Sequence, residues 1–286
     1  MKITIWAFAS LLFISSISFA QTQPNAAALQ GSTQRPTAVF EENKGQMKDQ
    51  HWQPRPDVLY YGNAGGMNYY IRNNGMSYQL SRVECWKDAE DHKQLPGDAK
   101  KQIPAEIGTY RVDAEWLGHN SDYTVAKGCE LDGYNNYYNV PEGVEPALFV
   151  KQYEAVTLQN LWNGVDVHYY STDGQLETDY LVAPDADYRQ IRMEIKGAEL
   201  SVSADGHLVM QTPFGEIHEG SLKVYQGDKL VAANWVIMGN IVSFDIPNYN
   251  PCLALRIDPL VRLWATHYGG TGLERGKSCD FDANNN

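Results

Sequence analysis

Apolar and polar residues alternate with a period of two along most of the chain from Phe40 onward. In Tyr110–Trp116 the even-numbered positions are apolar or aromatic, whereas Arg111, Asp113 and Glu115 lie between them. Successive side chains of a strand point to opposite faces, so this alternation predicts a strand with one buried face. Ile191–Lys196 repeats the pattern, and no window of ten or more residues carries a helical stripe. The pattern predicts an all-β protein.

Turn dipeptides separate the predicted strands. They are Asn74-Gly75, Asp173-Gly174, Asp205-Gly206 and Gly239-Asn240. Asn-Gly and Asp-Gly favour the type I′ turns that close tight hairpins, so the first two dipeptides predict two-residue hairpin turns. Leu253, Leu255 and Ile257 predict one further strand, and the charged segment 84–103, which contains Pro96-Gly97, predicts a long exposed loop.

Many short strands joined by tight turns are typical of a β-sandwich or a closed antiparallel sheet. We therefore expect an antiparallel β-sandwich-like domain with many hairpins over residues 39–260. About 266 residues after an N-terminal leader suffice for one large β domain or two smaller ones. Residues 21–38 are rich in Gln, Ala, Ser, Thr and Pro without periodicity, which predicts a disordered lead-in.

Residues 1–20 have the features of a secretory signal peptide. Lys2 is followed by a mostly apolar stretch, and Ser18-Phe19-Ala20 provides small residues at the cleavage positions. The alternative is a membrane anchor, but the apolar stretch falls short of the ~20 residues that span a bilayer. We expect export through the periplasm to the cell surface or medium, with no membrane insertion after cleavage.

The charge balance is acidic. The chain has 23 Lys and Arg against 35 Asp and Glu, a formal net charge of −12. Loss of residues 1–20 removes only Lys2, which gives 22 − 35 = −13. This balance disfavours nucleic acid as a partner, because phosphates require a basic surface, and it disfavours anionic membranes. A solvated acidic surface explains the charge, and calcium-dependent folding is the weaker alternative.

Four cysteines are widely spaced in the sequence, at Cys85, Cys129, Cys252 and Cys279. Export permits disulfides, and four cysteines allow three pairings that the sequence leaves open. The wide spacing argues against a zinc site, which usually uses close C-x-x-C pairs.

Several polar pairs could carry chemistry if the fold brought them into a cleft. Asp166 and His168 would share a strand face with Tyr170, and an acid can orient a histidine base. Glu177 and Asp179 would form a carboxylate pair, and glycosidases use pairs ~5–9.5 Å apart. The sequence places no nucleophile for Asp166 and His168 to activate and shows no cleft around Glu177 and Asp179, so we interpret both sets as polar outer faces of a hairpin.

Two further patterns suggest metal binding only superficially. His218 and Glu219 are adjacent, so on a strand they point to opposite faces. Asp280, Asp282 and Asn284 have the one-three-five spacing of a calcium loop, but asparagine follows where the loop requires glycine. We interpret them as a strand and a turn, and we assign no metal site, cofactor or catalytic residue.

Tyrosine doublets are the last notable pattern. They occur at Tyr60-Tyr61, Tyr69-Tyr70, Tyr137-Tyr138 and Tyr169-Tyr170, with Trp52, Trp86 and Trp162 nearby in sequence. On a strand, each doublet puts one ring inside and one outside. Outer rings could stack on sugars or contact proteins, whereas cross-strand aromatic pairing is the favoured explanation.

Ordered motifs resemble a known bacterial domain. Residues 40–46 match F-x-x-N-x-G-Q, and four later segments fit in order: Tyr153–Tyr170, Leu176–Pro184, Ile191–Ala198 and Ile257-Asp258-Pro259-Leu260. They resemble an N-terminal β-rich domain of unknown function that precedes SBBP repeats in secreted or surface proteins of Bacteroidetes-like bacteria. Pro184-Asp185-Ala186 departs from that pattern, in which a proline-glycine turn is more typical. The resemblance implies no established reaction.

The segment after this domain resembles the start of an SBBP repeat, a β-propeller-type unit. Trp264, Thr266 and the Gly269-Gly270-Thr271-Gly272 turn fit W-[ST]-T-x-x-G-G-[ST]-G. We therefore expect residues 261–286 to be an incomplete repeat and the chain to end within it.

The sequence favours a non-catalytic exported module that caps or presents a repeat array. Its partners would be its own downstream repeats, and a surface glycan or protein in an adhesive or ligand-binding role. The alternative is a carbohydrate-binding module or weak glycoside hydrolase that uses exposed tyrosines and paired carboxylates.

Overall fold

Two large antiparallel sheets face each other across one continuous apolar core. The computed structural model describes residues 39–49, 51–64, 66–88, 102–138, 140–141 and 143–265. Within them lie a single short 3₁₀ helix, Tyr188–Gln190, and no helix long and apolar enough to span a membrane. The expected all-β, antiparallel fold is confirmed.

The strands of the described residues follow in chain order. They are β1 (Phe40–Glu42), β2 (Val58–Ala64), β3 (Met67–Arg72), β4 (Gly75–Asp88), β5 (Gln102–Trp116), β6 (Thr124–Lys127), β7 (Asn135–Tyr137), β8 (Ala147–Val150), β9 (Gln152–Tyr153), β10 (Val156–Trp162), β11 (Val165–Thr172), β12 (Gln175–Val182), β13 (Met193–Lys196), β14 (Glu199–Val202), β15 (His207–Thr212), β16 (Gly215–Gln226), β17 (Lys229–Val231), β18 (Asn234–Met238), β19 (Ile241–Asp245) and β20 (Leu255–Ala265).

The strand order places the last strand in the middle of a sheet. The first sheet runs β18-β19-β13-β5-β4-β3-β2-β1-β9. The second sheet runs β14-β15-β16-β20-β12-β11-β10-β6, with β17 paired to β16, and β7 with β8 forms a separate ribbon. β20 therefore lies between β12 and β16 in the sheet, although both of these strands precede it in the sequence.

The predicted alternation is confirmed in the core. Val112, Ala114 and Trp116 of β5 are buried. Across the core, the Tyr180 ring of β12 lies 5.4 Å from the Phe244 ring of β19. Aromatic and branched side chains from both sheets thus fill the space between them, as in other two-sheet folds.

Two predicted hairpin turns are confirmed. Thr172 pairs with Gln175, and the intervening Asp173 and Gly174 have φ values of +52° and +76°, as a type I′ turn requires. Met238 pairs with Ile241 around Gly239-Asn240, where Gly239 has a φ of +65°.

The predicted turn at Asn74-Gly75 is wrong by one residue. Arg72 pairs with Gly75, so the turn residues are Asn73 and Asn74. Gly75 is needed in the strand itself, since a Cβ there would lie 2.2 Å from the carbonyl oxygen of Ala114. The glycine therefore permits close approach of β4 and β5 and does not supply a positive φ.

Two other boundaries also differ from the prediction. Leu253 is half exposed and precedes β20, which begins at Leu255. The predicted loop 84–103 is partly strand, because β4 runs to Asp88 and β5 begins at Gln102. Exposed Trp86 shows that this hairpin extends beyond the core, where a strand needs no apolar face and so carries no periodic pattern.

Candidate functional site

Three carboxylates share the outer face of the second sheet. Glu177 and Asp179 lie on β12 and Asp258 lies on β20, and all three are buried. Burial raises the pKa of Asp179 to about 6, with a further contribution from Asp258 and an opposing one from Arg256. Burial also raises the pKa of Asp258. Asp179 and Asp258 therefore hold their protons more tightly than ordinary surface acids.

The histidine predicted to pair with an acid lies beside this group. His168 pairs across the strands with Asp179, and its ring stacks on Tyr170 at 5.1 Å. Its Nδ1 is 2.8 Å from the hydroxyl of Thr157, and burial lowers its pKa. Asp166 instead accepts a hydrogen bond from the backbone N–H of Asn160. The structure therefore brings His168 towards Asp179, and Asp166 does not orient it.

His218 and Glu219 point to opposite faces of β16, as predicted. His218 Nε2 lies 2.8 Å from Glu216 Oε2 on the outer face. The carboxyl of Glu219 lies between the sheets, where it accepts a hydrogen bond from the Tyr78 hydroxyl. Burial raises the pKa of Glu219 to about 7. Among the described residues, no three His, Cys, Asp or Glu side chains are arranged to hold a metal ion.

The F-x-x-N-x-G-Q segment builds a corner at the start of the domain. The Asn43 side-chain amide donates to the carbonyls of Arg55 and Val58, both at 2.8 Å. Its oxygen accepts from the backbone N–H groups of Gly45 and Met47, and Gly45 has a φ of +100°. The asparagine and glycine of the motif therefore have a structural role that fixes the chain entering residues 47–55.

Residues 47–49 and 51–55, here called the 47–55 hairpin, fold back on themselves. The N–H of Arg55 donates to the carbonyl of Met47, and the N–H of Asp49 donates to Gln53. Asp49 also accepts from the backbone N–H groups of His51 and Gln53. Trp52 lies at the tip with a φ of +60° and is 50% exposed.

A cavity of about 360 Å³ separates this hairpin from the outer face of the first sheet. Its lining comes from the hairpin and from β2 to β5: Met47, Lys48, Asp49, Arg55, Val58, Tyr70, Ser77, Gln79, Thr109 and Arg111. A second, more open depression of about 480 Å³ lies on the second sheet, and Asp166 and Arg256 are its charged lining residues.

A charge network lies beside the 360 Å³ cavity and includes the lining residues Arg55, Ser77 and Arg111. Asp113 Oδ1 accepts from the Ser77 hydroxyl at 2.5 Å and from Arg111 Nε at 2.7 Å. Arg72 Nη2 lies 3.5 Å from the same oxygen. Arg55 makes a two-point contact with Asp57 at 2.8 and 2.7 Å.

Glu41, the second residue of the same motif, anchors the β7–β8 ribbon. It is buried and accepts hydrogen bonds from Asn135, Tyr137 and Gln152. Exposed rings lie on this part of the chain, where Tyr134 and Phe149 are 4.8 Å apart.

In three of the four tyrosine doublets, one ring lies on the core face of the sheet and the other on its outer face. Tyr60, Tyr69 and Tyr169 are buried, and the following tyrosine of each doublet is half-buried. Tyr61 stacks on Tyr70 across the strands, at 6.1 Å and 24°, as the cross-strand explanation predicts. In the fourth doublet, Tyr138 is 68% exposed. Of the tryptophans near the doublets in sequence, Trp162 is buried and Trp86 is exposed.

The three cysteines within the described residues are exposed and unpaired. Cys85, Cys129 and Cys252 form no disulfide with one another. Any pairing that uses all four cysteines requires one bond within this set, and none is formed. Cys279 and the calcium-like Asp280, Asp282 and Asn284 lie outside the described residues.

Sequence reasoning missed Glu41, Arg72 and the cavity. Glu41 and Arg72 carry ordinary polar side chains in strands, and their burial depends on segments distant in the chain. Glu219 could have been found, because Ile217 and Glu219 alternate on one face of β16 and Ile217 is in the core. The cavity could not, since its walls combine residues near position 47 with Arg111, which lies 64 positions later than Met47.

These features define a two-sheet antiparallel β protein in which the first strand belongs to one sheet and the hairpin that follows it lies over the outer face of that sheet. The model of the family described as "Domain of unknown function (DUF7948)" matches residues 40–260. The chain therefore belongs to this family. The match begins at the F-x-x-N-x-G-Q corner and ends within β20. No curated protein and no solved structure matches the chain.

Proposed function

We propose that the protein is a non-catalytic, exported domain whose last strand presents residues 261–286, and that these residues begin an SBBP-type repeat. Export would place the domain on the surface of a Bacteroidetes-like bacterium or in the medium. Its outward role is adhesion or ligand binding. The position of β20 is the observation that supports this proposal.

β20 connects the domain to whatever follows it through a central position in the sheet. It pairs with β12 at Leu255–Ile257 and with β16 from Arg256 to Ala265. The pairing with β16 thus runs five residues past the end of the family match at residue 260. A strand bonded within a sheet has little freedom to pivot, so it sets the direction of the next segment. A domain at this position also covers the sheet edge that a terminal repeat exposes.

Hydrogen exchange on the mature chain, residues 21–286, tests this role. We expect the amides of 261–265 that pair with β16 to exchange nearly as slowly as those of 255–258, because they belong to one cooperative strand. The edge strand β17 provides the internal reference for a less protected strand. Exchange of 261–265 at the rate of an unstructured peptide would contradict presentation by β20.

A carbohydrate-binding role is the second candidate, supported by the exposed rings of Tyr134 and Phe149. Phe149 has a φ of +56°, and backbone strain in a non-glycine residue often accompanies a functional surface. The hydrolytic version is not supported, because Glu177 and Asp179 are only 7% and 5% exposed. A sugar therefore has little access to this carboxylate pair.

A glycan array screened with the mature chain tests the second candidate. We expect binding that is lost in a Tyr134→Ala, Phe149→Ala double variant. Leu230→Ala is the matched control, since Leu230 is an exposed apolar residue of the second sheet, away from the β7–β8 ribbon. Equal loss in the control, or no loss in the double variant, would contradict this surface.

A further inference from the structure

We propose that the cavity beneath the 47–55 hairpin binds a saccharide unit that carries one carboxylate, such as a uronic acid residue of an acidic glycan. This inference does not depend on the presentation role of β20, nor on the exposed rings of Tyr134 and Phe149. It follows from the size, charge and hydrogen-bonding groups of the cavity.

The cavity has the dimensions of a small-molecule site. Its volume of about 360 Å³ lies within the range of roughly 300–1,000 Å³ typical of ligand pockets. The hairpin that forms one wall is held by the four hydrogen bonds of Asn43 at its base. The opposite wall is a paired sheet. Both walls are therefore preformed, which lowers the entropic cost of binding.

Positive charge exceeds negative charge around the cavity. Four cations, Lys48, Arg55, Arg72 and Arg111, face three carboxylates, Asp49, Asp57 and Asp113. Lys48 lines the cavity and has no ion-pair partner within the described residues. The whole chain carries a formal charge of −12, so a locally cationic cavity runs against the overall balance and favours one anionic group.

Arg72 provides independent support for an anionic ligand. Its side chain is only 6% exposed, and its Nε and Nη2 atoms have no hydrogen-bond acceptor in the described part of the chain. The single oxygen of Asp113 nearest to Arg72 already accepts from Ser77 and Arg111. A buried guanidinium remains charged, so its charge is under-compensated. An anion in the adjacent cavity would offset this charge through space, and it would be bound by Arg111, which lines the cavity and whose guanidinium suits a carboxylate.

The remaining lining groups suit sugar hydroxyls. The Tyr70 hydroxyl donates to Gln79 Oε1 at 3.1 Å, which leaves the Gln79 amide nitrogen to donate to a ligand. Thr109 adds a hydroxyl to the lining, and Asp49 adds a carboxylate that can accept from a hydroxyl. Trp52, at the tip of the same hairpin, supplies an exposed aromatic ring of the kind on which sugars stack. A simple anion would use only the charged part of this lining.

Calorimetric titration of the mature chain, residues 21–286, tests the ligand class. The probes are glucuronate and galacturonate, their neutral counterparts glucose and galactose, and acetate. We expect a uronate to bind about tenfold more tightly than its neutral sugar and than acetate, since each factor of ten needs only about one charge-assisted hydrogen bond. Equal binding of neutral sugar, equal binding of acetate, or no binding of either uronate would overturn the proposal.

A matched pair of variants tests the location. Lys48→Gln removes the unpaired cation of the cavity, and we expect it to weaken uronate binding about tenfold with an unchanged melting temperature. Lys229→Gln removes an exposed lysine of the second sheet and should leave binding unchanged. Thr109→Val is a second variant that removes a hydroxyl without changing charge, and it should weaken uronate and neutral sugar alike. Full affinity in both cavity variants would overturn the assignment.

Discussion

The hydroxyl of Tyr78 donates a hydrogen bond of 3.2 Å to the carboxyl of Glu219 across the interior of the protein. Tyr78 lies on β4 of the first sheet and Glu219 on β16 of the second. Glu219 as a residue is partly exposed, but its carboxyl lies among core side chains that include Tyr169 and Tyr180. A carboxyl group thus lies between the sheets, and within the described residues the Tyr78 hydroxyl is the hydrogen-bond donor that offsets its burial.

Stability should fall as the pH rises through the titration of Glu219. Burial raises its pKa from the ordinary 4.5 to about 7, so the folded chain binds this proton more tightly than the unfolded chain. The free energy of unfolding therefore decreases between about pH 4.5 and 7. Glu219→Gln should remove the Glu219 contribution to this slope, leaving that of Asp179, and should stabilise the protein at pH 8 by about 2 kcal/mol, measured by urea unfolding.

Glu216→Gln is the matched control for this prediction. Glu216 lies on the outer face of the same strand beside His218, so its loss should leave the slope between pH 4.5 and 7 in place. If Glu219→Gln retained the slope of the natural protein, the carboxyl would titrate at an ordinary pKa.

Asn43→Ala should destabilise the domain by about 3 kcal/mol in urea unfolding. The substitution removes two donated and two accepted hydrogen bonds and leaves part-buried backbone groups of the corner without partners. Asn63→Ala is the control, because Asn63 is exposed and bonds only the side chain of Asn68, and it should cost less than about 0.5 kcal/mol. Similar costs for the two variants would show that the motif does not hold the corner.

Gly75→Ala should be more costly than alanine at an exposed glycine turn. A Cβ at Gly75 would lie 2.2 Å from the carbonyl oxygen of Ala114, so β4 and β5 would have to separate. Gly227 has a φ of +57°, and a Cβ added there would have no atom within 4 Å. Gly227→Ala should therefore lower the free energy of unfolding only by its backbone strain, about 1 kcal/mol. We expect at least twice that cost for Gly75→Ala in urea unfolding, and equal costs would refute the close-approach explanation.

Local patterns predicted the parts of this fold that depend on neighbouring residues. The strand around Val112 follows from the period-two pattern of apolar residues, and the Asp173-Gly174 turn follows from the preference of Asp-Gly for type I′ geometry. Both signals are contained within a few neighbouring residues. Gly75 was assigned to a turn because Asn-Gly is a strong local signal, but its role depends on contact with Ala114, which lies 39 positions later. Long-range register of this kind is not encoded in a short window.

The candidate sites show the same limit. Glu177 and Asp179 were correctly placed on one face of a strand, because their spacing alone determines that. Their burial and the proximity of Asp258 depend on β20 lying beside β12, which the sequence did not reveal. The cavity beneath the 47–55 hairpin depends on both a distant register and a loop conformation, so no residue pattern predicted it.

Asp179→Asn should stabilise the protein at pH 8 and have little effect at pH 4. Burial and the neighbouring Asp258 raise the pKa of Asp179 from 3.8 to about 6, so ionisation above pH 6 costs stability that the amide does not lose. Arg256, 3.6 Å away and 46% exposed, offsets part of this cost, and we expect a gain of about 1 kcal/mol. Asp187→Asn, at an exposed carboxylate, is the control and should give no gain. If Asp179→Asn instead destabilised the protein at pH 8, the ion pair with Arg256 would contribute more stability than burial of the Asp179 charge costs.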